Sequence, residues 1–219
     1  MKRRSGRTSL RGLYAITDGH ATDIDHLVSA VEAALLGGAR VVQYRDKTRE
    51  GARRRAESGA LRELTRQYDV PLLINDDVEL ACAIDADGVH LGRDDTDIAS
   101  ARARLAPGSL IGISCYDRFE LAQQATASGA DYVAFGSFHP SPTKPQAVRA
   151  DPALLARARA ELALPVVAIG GISPENGAAL VRAGADMLAV ISAVFGAADI
   201  TAAARAFADC FASTEETQP

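Results

Sequence analysis

The stretch SGADYVAFG, residues 128–136, decides the fold, because it joins a glycine turn to a short apolar run. The same arrangement recurs at 37–39, 85–88 and 183–186, and three of the four copies carry Ala-Asp before or at the apolar run. We expect the glycine of each copy to end a helix in the left-handed conformation. A repeat of roughly 20–30 residues is typical of a supersecondary unit rather than of a solenoid motif.

Outward from this turn, short apolar runs alternate with helical patterns along the whole chain. The apolar runs are 13–17, 41–44, 71–74, 88–91, 110–114, 132–136, 165–169 and 187–191. Most are continuous, which is typical of strands covered on both faces. Apolar spacing of three and four residues marks helices at 25–36, 50–67, 118–128, 152–162, 174–182 and 200–211. The alternation predicts a single (β/α)8 TIM barrel over 10–212, whereas the competing doubly wound sheet lacks a GxGxxG after its first strand.

Composition excludes several classes of function. The chain has 219 residues, of which 47% are hydrophobic and 24% charged, as in ordinary globular proteins. A net charge of −4 indicates neither a nucleic-acid partner nor a membrane partner. We expect the basic residues 1–9 and the polar residues 213–219 to form frayed tails.

The three cysteines indicate a reduced setting. Cys82, Cys115 and Cys210 are odd in number, widely spaced and free of CxxC pairing. This argues against a disulfide framework or a zinc site and favours a cytoplasmic protein. Cys82 and Cys210 fall in helical patterns, so we expect both to pack in the core.

Unusual polar residues cluster where the predicted strands end, which is where TIM-barrel enzymes hold their chemistry. Gln43, Arg45 and Lys47 alternate after the second strand, so in an extended segment they face one side and suit a diphosphate. The alternative is a salt-bridged barrel interior. The turns that lead from a helix into a strand carry no comparable cluster of unusual polar residues. This asymmetry between the two ends of the strands predicts an enzyme.

Acidic residues follow the third and fourth strands. Because Mg²⁺ takes one or two carboxylates together with substrate phosphates, we select Asp76 and Asp95 as its ligands. Asp77 is expected to cap the following helix, and the alternative is that all of these acids are helix caps. His90, inside the fourth strand, is expected to be a hydrogen-bonded interior residue.

A second anion site is predicted across the barrel mouth. Ser141, Thr143 and Lys144 offer two hydroxyls and an ammonium group on a proline-stiffened loop. Gly171 precedes a helix start, and Ile191 with Ser192 ends the eighth strand, so the loops of strands seven and eight suit a phosphate.

The ordered set of motifs resembles the thiamine phosphate synthase family. The residues that carry the resemblance lie between about Leu10 and Gly196, and the motifs are GLYAITD at 12–18, VQYRDK at 42–47, IND at 74–76, ADGVHLG at 86–92 ending at Asp95, GIS at 112–114, PSPTK at 140–144, AIGGI at 168–172 and IS at 191–192. Two departures are Ser141, where threonine is common, and Arg93, where glutamine is frequent.

The resemblance implies a Mg²⁺-dependent transferase of thiamine biosynthesis that acts on two small phosphorylated substrates. It would join hydroxymethylpyrimidine diphosphate to thiazole phosphate and release diphosphate. Carried over by position, the pyrimidine diphosphate would contact Gln43, Arg45, Lys47, Asn75, Ser114 and Lys144. The thiazole phosphate would contact Ser141, Thr143, Gly171, Ile191 and Ser192, and Asp76 and Asp95 would bind the metal. Arg45, Lys47, Ser114 and Lys144 would act in catalysis.

Three other interpretations stay open from the sequence. A thiazole tautomerase on the same barrel needs neither the acidic pair nor the Gln43, Arg45 and Lys47 series. A phosphosugar isomerase would use only the strand-seven and strand-eight site. A non-catalytic ligand-binding regulator is the third, and the sequence also leaves a homo-oligomer open.

Overall fold

The strands close into a parallel barrel. The computed structural model describes residues 10–48, 50–92, 95–140 and 148–212. Within them the strand order is β1 to β8, and β8 pairs in parallel with β1 through Met187 and Gly12. The strands are β1 Gly12–Ile16, β2 Ala39–Tyr44, β3 Leu72–Asn75, β4 Gly88–Leu91, β5 Leu110–Tyr116, β6 Tyr132–Phe135, β7 Val166–Ile169 and β8 Met187–Val190. The predicted TIM barrel is confirmed.

Helices cover the outside of the barrel. They are α1 Ile24–Leu36, α2 Gly51–Gln67, α3 Val78–Ala83, α4 Ile98–Arg104, α5 Phe119–Ala127, α6 Ala153–Glu161, α7 Pro174–Ala183, α8 Ser192–Phe195 and α9 Ile200–Ala212. Each of the six predicted helical stretches forms. The sequence pattern did not delimit α3, α4 and α8, because helices of four to seven residues are too short to show a period. Among the described residues, no helix combines the length and apolarity needed to cross a membrane.

The core has two layers separated by the strands. Side chains alternate along each strand, so in β1 Leu13 and Ala15 pack outward against the helices, whereas Tyr14 and Ile16 point into the lumen. The inner layer also contains Tyr132, whose side chain is fully buried. Burial on both faces explains why the strands read as continuous apolar runs.

The recurring Ala-Asp dipeptide has a structural role at the N-terminal end of the barrel. Each aspartate bridges to a residue at the start of the preceding strand: its own N–H donates to that residue's carbonyl, and its carboxylate accepts from that residue's N–H. The pairs are Asp87 with Leu72, Asp131 with Ile111 and Asp186 with Val166, and every carboxylate lies 2.9 Å from the amide nitrogen. We call these three residues the aspartate turns. They fasten β3 to β4, β5 to β6 and β7 to β8.

Two sequence expectations need correction. Gly38, Gly129 and Gly184 adopt positive φ as predicted, but at 85–88 it is Asp85 that does so, with φ 52°. Aspartate tolerates this conformation. Gly88 instead lies within β4, where a Cβ would come 2.0 Å from the Leu110 carbonyl oxygen.

The second correction concerns a cysteine. Cys82 is exposed, whereas Cys210 is buried as expected. Helix α3 buries Val78, Leu80 and Ala81, and Cys82 falls outside that stripe with its thiol donating to the Arg104 carbonyl.

Candidate active site

Two adjoining cavities open at the C-terminal ends of the strands. The first has a volume of about 490 Å³ and lies over the lumen; the sequence-predicted residues in its wall are Gln43, Arg45, Asn75, Ser114, Gly171, Ile191 and Ser192. The second has a volume of about 360 Å³ and contains Lys47 and Asp76. Asn75 lines both cavities and joins them. We refer to them as the lumen cavity and the acidic cavity.

The Gln43, Arg45 and Lys47 series divides between the two cavities. Gln43 is 1% exposed inside β2, and Arg45 follows it into the wall of the lumen cavity. β2 ends at Tyr44, so Lys47 leaves the strand register and places its Nζ 2.6 Å from Asp76 Oδ2. The expectation that all three face one side therefore holds for Gln43 and Arg45 only.

A buried turn sets the path of this segment. Asp46 is 7% exposed and accepts hydrogen bonds from the Thr48 amide at 2.7 Å and the Thr48 hydroxyl at 2.9 Å. Burial opposes ionisation of Asp46, but the Thr48 bonds and nearby arginines outweigh it, so the pKa of Asp46 is below its ordinary value. The carboxylate anchors the loop and leaves Arg45 and Lys47 on its two flanks.

Asp76 lines the acidic cavity, and Asp95 lies beside Asp76. Asp76 accepts from Lys47 and from the Asn75 amide at 2.5 Å, and Asp95 accepts from the Gly92 amide at 2.5 Å. Burial opposes ionisation of Asp76, but hydrogen bonds from Lys47, Asp95 and Asn75 outweigh it and lower its pKa. Burial, together with the neighbouring Asp76, raises the pKa of Asp95.

This pair of carboxylates fits a magnesium ion. A dication would relieve the repulsion between two adjacent acids, and Mg²⁺ completes its octahedron with water and substrate phosphates. Within 10–48, 50–92, 95–140 and 148–212 there is no group of three His, Cys, Asp or Glu residues arranged for a metal. A donor set of two carboxylates suits an ion that is shared with substrate phosphates. Asp77 caps α3 by accepting from Leu80 N at 2.8 Å, as predicted.

The loops after β7 and β8 form the opposite wall. Gly171 has φ 64°, and a Cβ there would lie 2.3 Å from the Pro140 carbonyl oxygen, so only glycine fits this close approach. Pro174 opens α7, as the sequence indicated. Ser141, Thr143, Lys144 and Arg93 lie outside the described residues, as do the two predicted tails.

A line of hydrogen bonds across the lumen was not predicted. Gln43 donates to the Tyr14 hydroxyl, Tyr14 and Tyr132 hydroxyls are 2.9 Å apart, and His90 Nδ1 is 2.9 Å from Tyr132. His90 Nε2 is in turn 2.9 Å from the Ser114 hydroxyl. We call these five residues the tyrosine relay. His90 is the hydrogen-bonded interior residue that the sequence indicated. The tyrosines were missed, and the signal that could have found them is their position in the strand alternation, which points Tyr14 and Tyr132 into the lumen.

Packing holds the relay in place. The Tyr132 ring stacks on His90 at 5.6 Å between centroids and meets Tyr14 edge-on at 6.0 Å. A Cβ on Gly112 would lie 1.9 Å from Tyr132 Cζ, so the glycine makes room for the ring. Burial raises the pKa of both tyrosines, and hydrogen bonds from Tyr132 and Gln43 only partly offset this at Tyr14. Both hydroxyls are therefore protonated at neutral pH.

Comparison with known proteins points to one family. The family described as thiamine monophosphate synthase matches residues 13–194. Among curated proteins, the chain is similar to the thiamine-phosphate synthase of Methylobacillus flagellatus, with 56% identity over 92% of this chain and 96% of that one. It is similar to the thiamine-phosphate synthase of Thiobacillus denitrificans, with 54% identity over 96% of this chain and 99% of that one.

Solved structures agree. The fold resembles thiamine phosphate pyrophosphorylase from Pyrococcus furiosus with a TM-score of 0.84 and 36% identity, covering 94% of this chain and 97% of that one. A 3-hexulose-6-phosphate synthase shares the fold alone, with a TM-score of 0.65 and 17% identity over 91% of this chain and 99% of that one.

Proposed function

The chain belongs to the thiamine monophosphate synthase family, and we propose that it carries out the family's condensation by magnesium-assisted departure of diphosphate. The reaction joins hydroxymethylpyrimidine diphosphate to thiazole phosphate and gives thiamine phosphate and diphosphate. The C–O bond to diphosphate breaks first, which leaves the pyrimidine methylene cationic, and the thiazole nitrogen captures it.

The pyrimidine diphosphate spans the two cavities in this proposal. Gln43 and Ser114 line the lumen cavity, which is wide enough for a heterocycle, and Asn75 stands where it meets the acidic cavity. Arg45 and Lys47 flank that junction from either side of the Asp46 turn. A guanidinium group and an ammonium group at the junction suit the charge that develops on departing diphosphate. Lys144 adds a third cation from outside the described residues.

Asp76 and Asp95 would hold the magnesium ion. When bound, Mg²⁺ supplies Lewis-acid stabilisation of the leaving diphosphate. The residues themselves prepare this site: Gly92 fixes Asp95 through its amide, and Asn75 fixes Asp76 through its side chain. The chemistry of the donor set, two carboxylates beside an open cavity, supports the assignment.

The thiazole phosphate would lie against β7 and β8. Gly171, Ile191 and Ser192 line the same side of the lumen cavity, at the position where TIM barrels commonly bind phosphate. By the family resemblance, Ser141 and Thr143, which lie outside the described residues, would add hydroxyl groups. The apolar wall contributed by Val167, Ile169 and Ala189 suits the ring.

One observation carries the proposal: the acidic cavity and the lumen cavity are neighbours that share Asn75 in their walls. This arrangement suits a single substrate with a diphosphate at one end and a heterocycle at the other. A tautomerase would not require this junction. We also infer a cytoplasmic setting, supported by Cys82, Cys115 and Cys210, which form no disulfide within the part of the chain that the structure describes.

The test is product formation from the two substrates with Mg²⁺ and, in parallel, with EDTA. We expect thiamine phosphate only when Mg²⁺ is present. Product formed equally well in EDTA would contradict the magnesium assignment. Absence of product from folded protein that binds both substrates would instead support the regulator.

A further inference from the structure

The hydrogen bonds behind Ser114 run in one direction, which is set at the far end of the tyrosine relay. Gln43 donates to Tyr14 through its amide nitrogen, and an amide NH₂ group donates without accepting. Tyr14 then has one hydroxyl hydrogen, and among the described residues the other side chain bonded to its hydroxyl is Tyr132, whose oxygen is 2.9 Å away. The Tyr14 oxygen could also accept from Tyr132, but its own buried hydrogen would then have no acceptor among these side chains. The arrangement that satisfies every group is therefore the one in which each member passes its hydrogen onward.

The same direction determines the tautomer of His90. His90 Nδ1 and the Tyr132 hydroxyl are 2.9 Å apart. In the direction set by Gln43 the hydroxyl is the donor, which leaves Nδ1 without a hydrogen and places the hydrogen of the neutral ring on Nε2. Nε2 lies 2.9 Å from Ser114 Oγ and donates to it. Ser114 therefore receives a hydrogen bond from behind and retains its own hydroxyl hydrogen for a ligand in the lumen cavity.

We infer that Gln43, Tyr14, Tyr132 and His90 are positioning residues that make Ser114 a hydrogen-bond donor to an acceptor atom of the bound pyrimidine, such as a ring nitrogen. The inference rests on the proposed contact between Ser114 and the pyrimidine. Without the relay, the serine hydroxyl would rotate freely between donating and accepting.

Burial of the relay favours one direction of its hydrogen bonds. Tyr14, Tyr132 and Gln43 are 1%, 0% and 1% exposed, so water has little access to compete for these bonds. An unpaired polar group at this depth is costly, which favours the arrangement in which every member is satisfied. Since both tyrosines stay protonated at neutral pH, ionisation of a tyrosine does not interrupt the relay there.

The first experiment reads the tautomer in protein without substrate. The chain has four histidines, so 15N-histidine NMR resolves each ring, and a His90→Gln spectrum assigns the one of interest. We expect Nε2 to be protonated and Nδ1 to be bare. A protonated Nδ1 would overturn the inference, because the line would then run the other way and use the Ser114 hydrogen.

The second experiment separates positioning from a general structural role. We expect Tyr132→Phe to lower kcat/KM for the pyrimidine diphosphate about tenfold, the scale of one hydrogen bond, and to leave the KM of thiazole phosphate unchanged. In a Ser114→Ala background the same change should cost less than about twofold. Equal losses in both backgrounds would overturn the inference.

Two further variants keep the test decisive. Tyr14→Phe interrupts the relay one step earlier and should reproduce the pattern if Tyr132→Phe folds poorly. Tyr68→Phe removes a tyrosine hydroxyl that is 2.8 Å from Glu32, away from both cavities, and should leave kinetics unchanged. Failure of the proposed function would appear as no product from the wild type, whereas failure of the relay would appear in the His90 tautomer.

Discussion

Lys47 Nζ and Asp76 Oδ2 are 2.6 Å apart, so the ammonium group that is proposed to hold diphosphate already neutralises a carboxylate proposed to hold magnesium. The ion pair links β2 to β3 across the mouth of the acidic cavity. Entry of the metal and its diphosphate would release Lys47 from Asp76 and turn it toward phosphate oxygens. Without substrate, the two charges therefore neutralise each other in this ion pair.

The first prediction follows from this competition. Lys47→Met should lower kcat/KM for the pyrimidine diphosphate about 10- to 100-fold, because a charged contact to phosphate is lost. Affinity for Mg²⁺ alone, measured by calorimetry, should stay equal or rise, since Asp76 no longer has a competing cation. Arg159→Met, on the exposed face of α6, controls for loss of a surface charge. Weaker Mg²⁺ binding in Lys47→Met would contradict the competition.

The second prediction concerns the metal pair. Asp95→Ala should reduce magnesium-dependent turnover about 100-fold, or about 2.7 kcal/mol of transition-state stabilisation, while the thermal midpoint stays unchanged. Asp97→Asn is the matched control, because Asp97 lies two residues away and caps α4 through Ser100 N at 3.0 Å. Full activity in Asp95→Ala would refute the metal assignment.

The third prediction tests how Tyr132 is held. Gly112→Ala would place a Cβ 1.9 Å from Tyr132 Cζ, so the ring must move. We expect a loss of about 1–3 kcal/mol in the free energy of unfolding and lower activity. Gly59→Ala is the control: its Cβ meets nothing within 4 Å in α2, and it should stabilise the fold by about 0.5–1 kcal/mol. Denaturant unfolding measures both, and an unchanged midpoint in Gly112→Ala would show that the ring has room to spare.

The fourth prediction concerns an aspartate turn. Asp131→Ala leaves the Ile111 N–H without its carboxylate partner and removes the 2.7 Å ion pair to Arg102. Stability should fall by about 1–3 kcal/mol, whereas kcat and KM should not change, because the turn lies at the other end of the barrel. Asp131→Asn keeps an acceptor for Ile111 and should cost less. A changed kcat in folded Asp131→Ala protein saturated with both substrates would contradict the view that this turn contributes to stability and not to catalysis.

Much of the fold could be predicted because its signals are local. Continuous apolar runs and glycine turns mark each strand, and inward parity places Gln43, Asn75 and Ser114 around one opening. The short helices α4 and α8 could not be delimited, since α4 buries only Ala101 and shows no stripe. Cys82 was misplaced because α3 has only six residues, which is too short for its buried stripe to show a period in the sequence.

The candidate site was predictable as a set of strand ends but not as a network. Lys47 follows Gln43 and Arg45 in spacing, yet the end of β2 sends it to Asp76. The tyrosine relay joins residues up to 118 positions apart, as in the pair Tyr14 and Tyr132, so it depends on strand register and barrel closure. Spacing within a single strand carries no information about such contacts.

The aspartate turns have a consequence for how this protein tolerates change. Asp87, Asp131 and Asp186 tie the strands together at the end remote from the cavities, and none of the three lines either cavity. Sequence diversity introduced in the loops above the strands therefore leaves these fasteners intact, and a library confined to those loops should yield mostly folded proteins. In this chain, the bonds that stabilise the barrel at its N-terminal end allow the sequence to vary at the C-terminal end, where the proposed chemistry takes place.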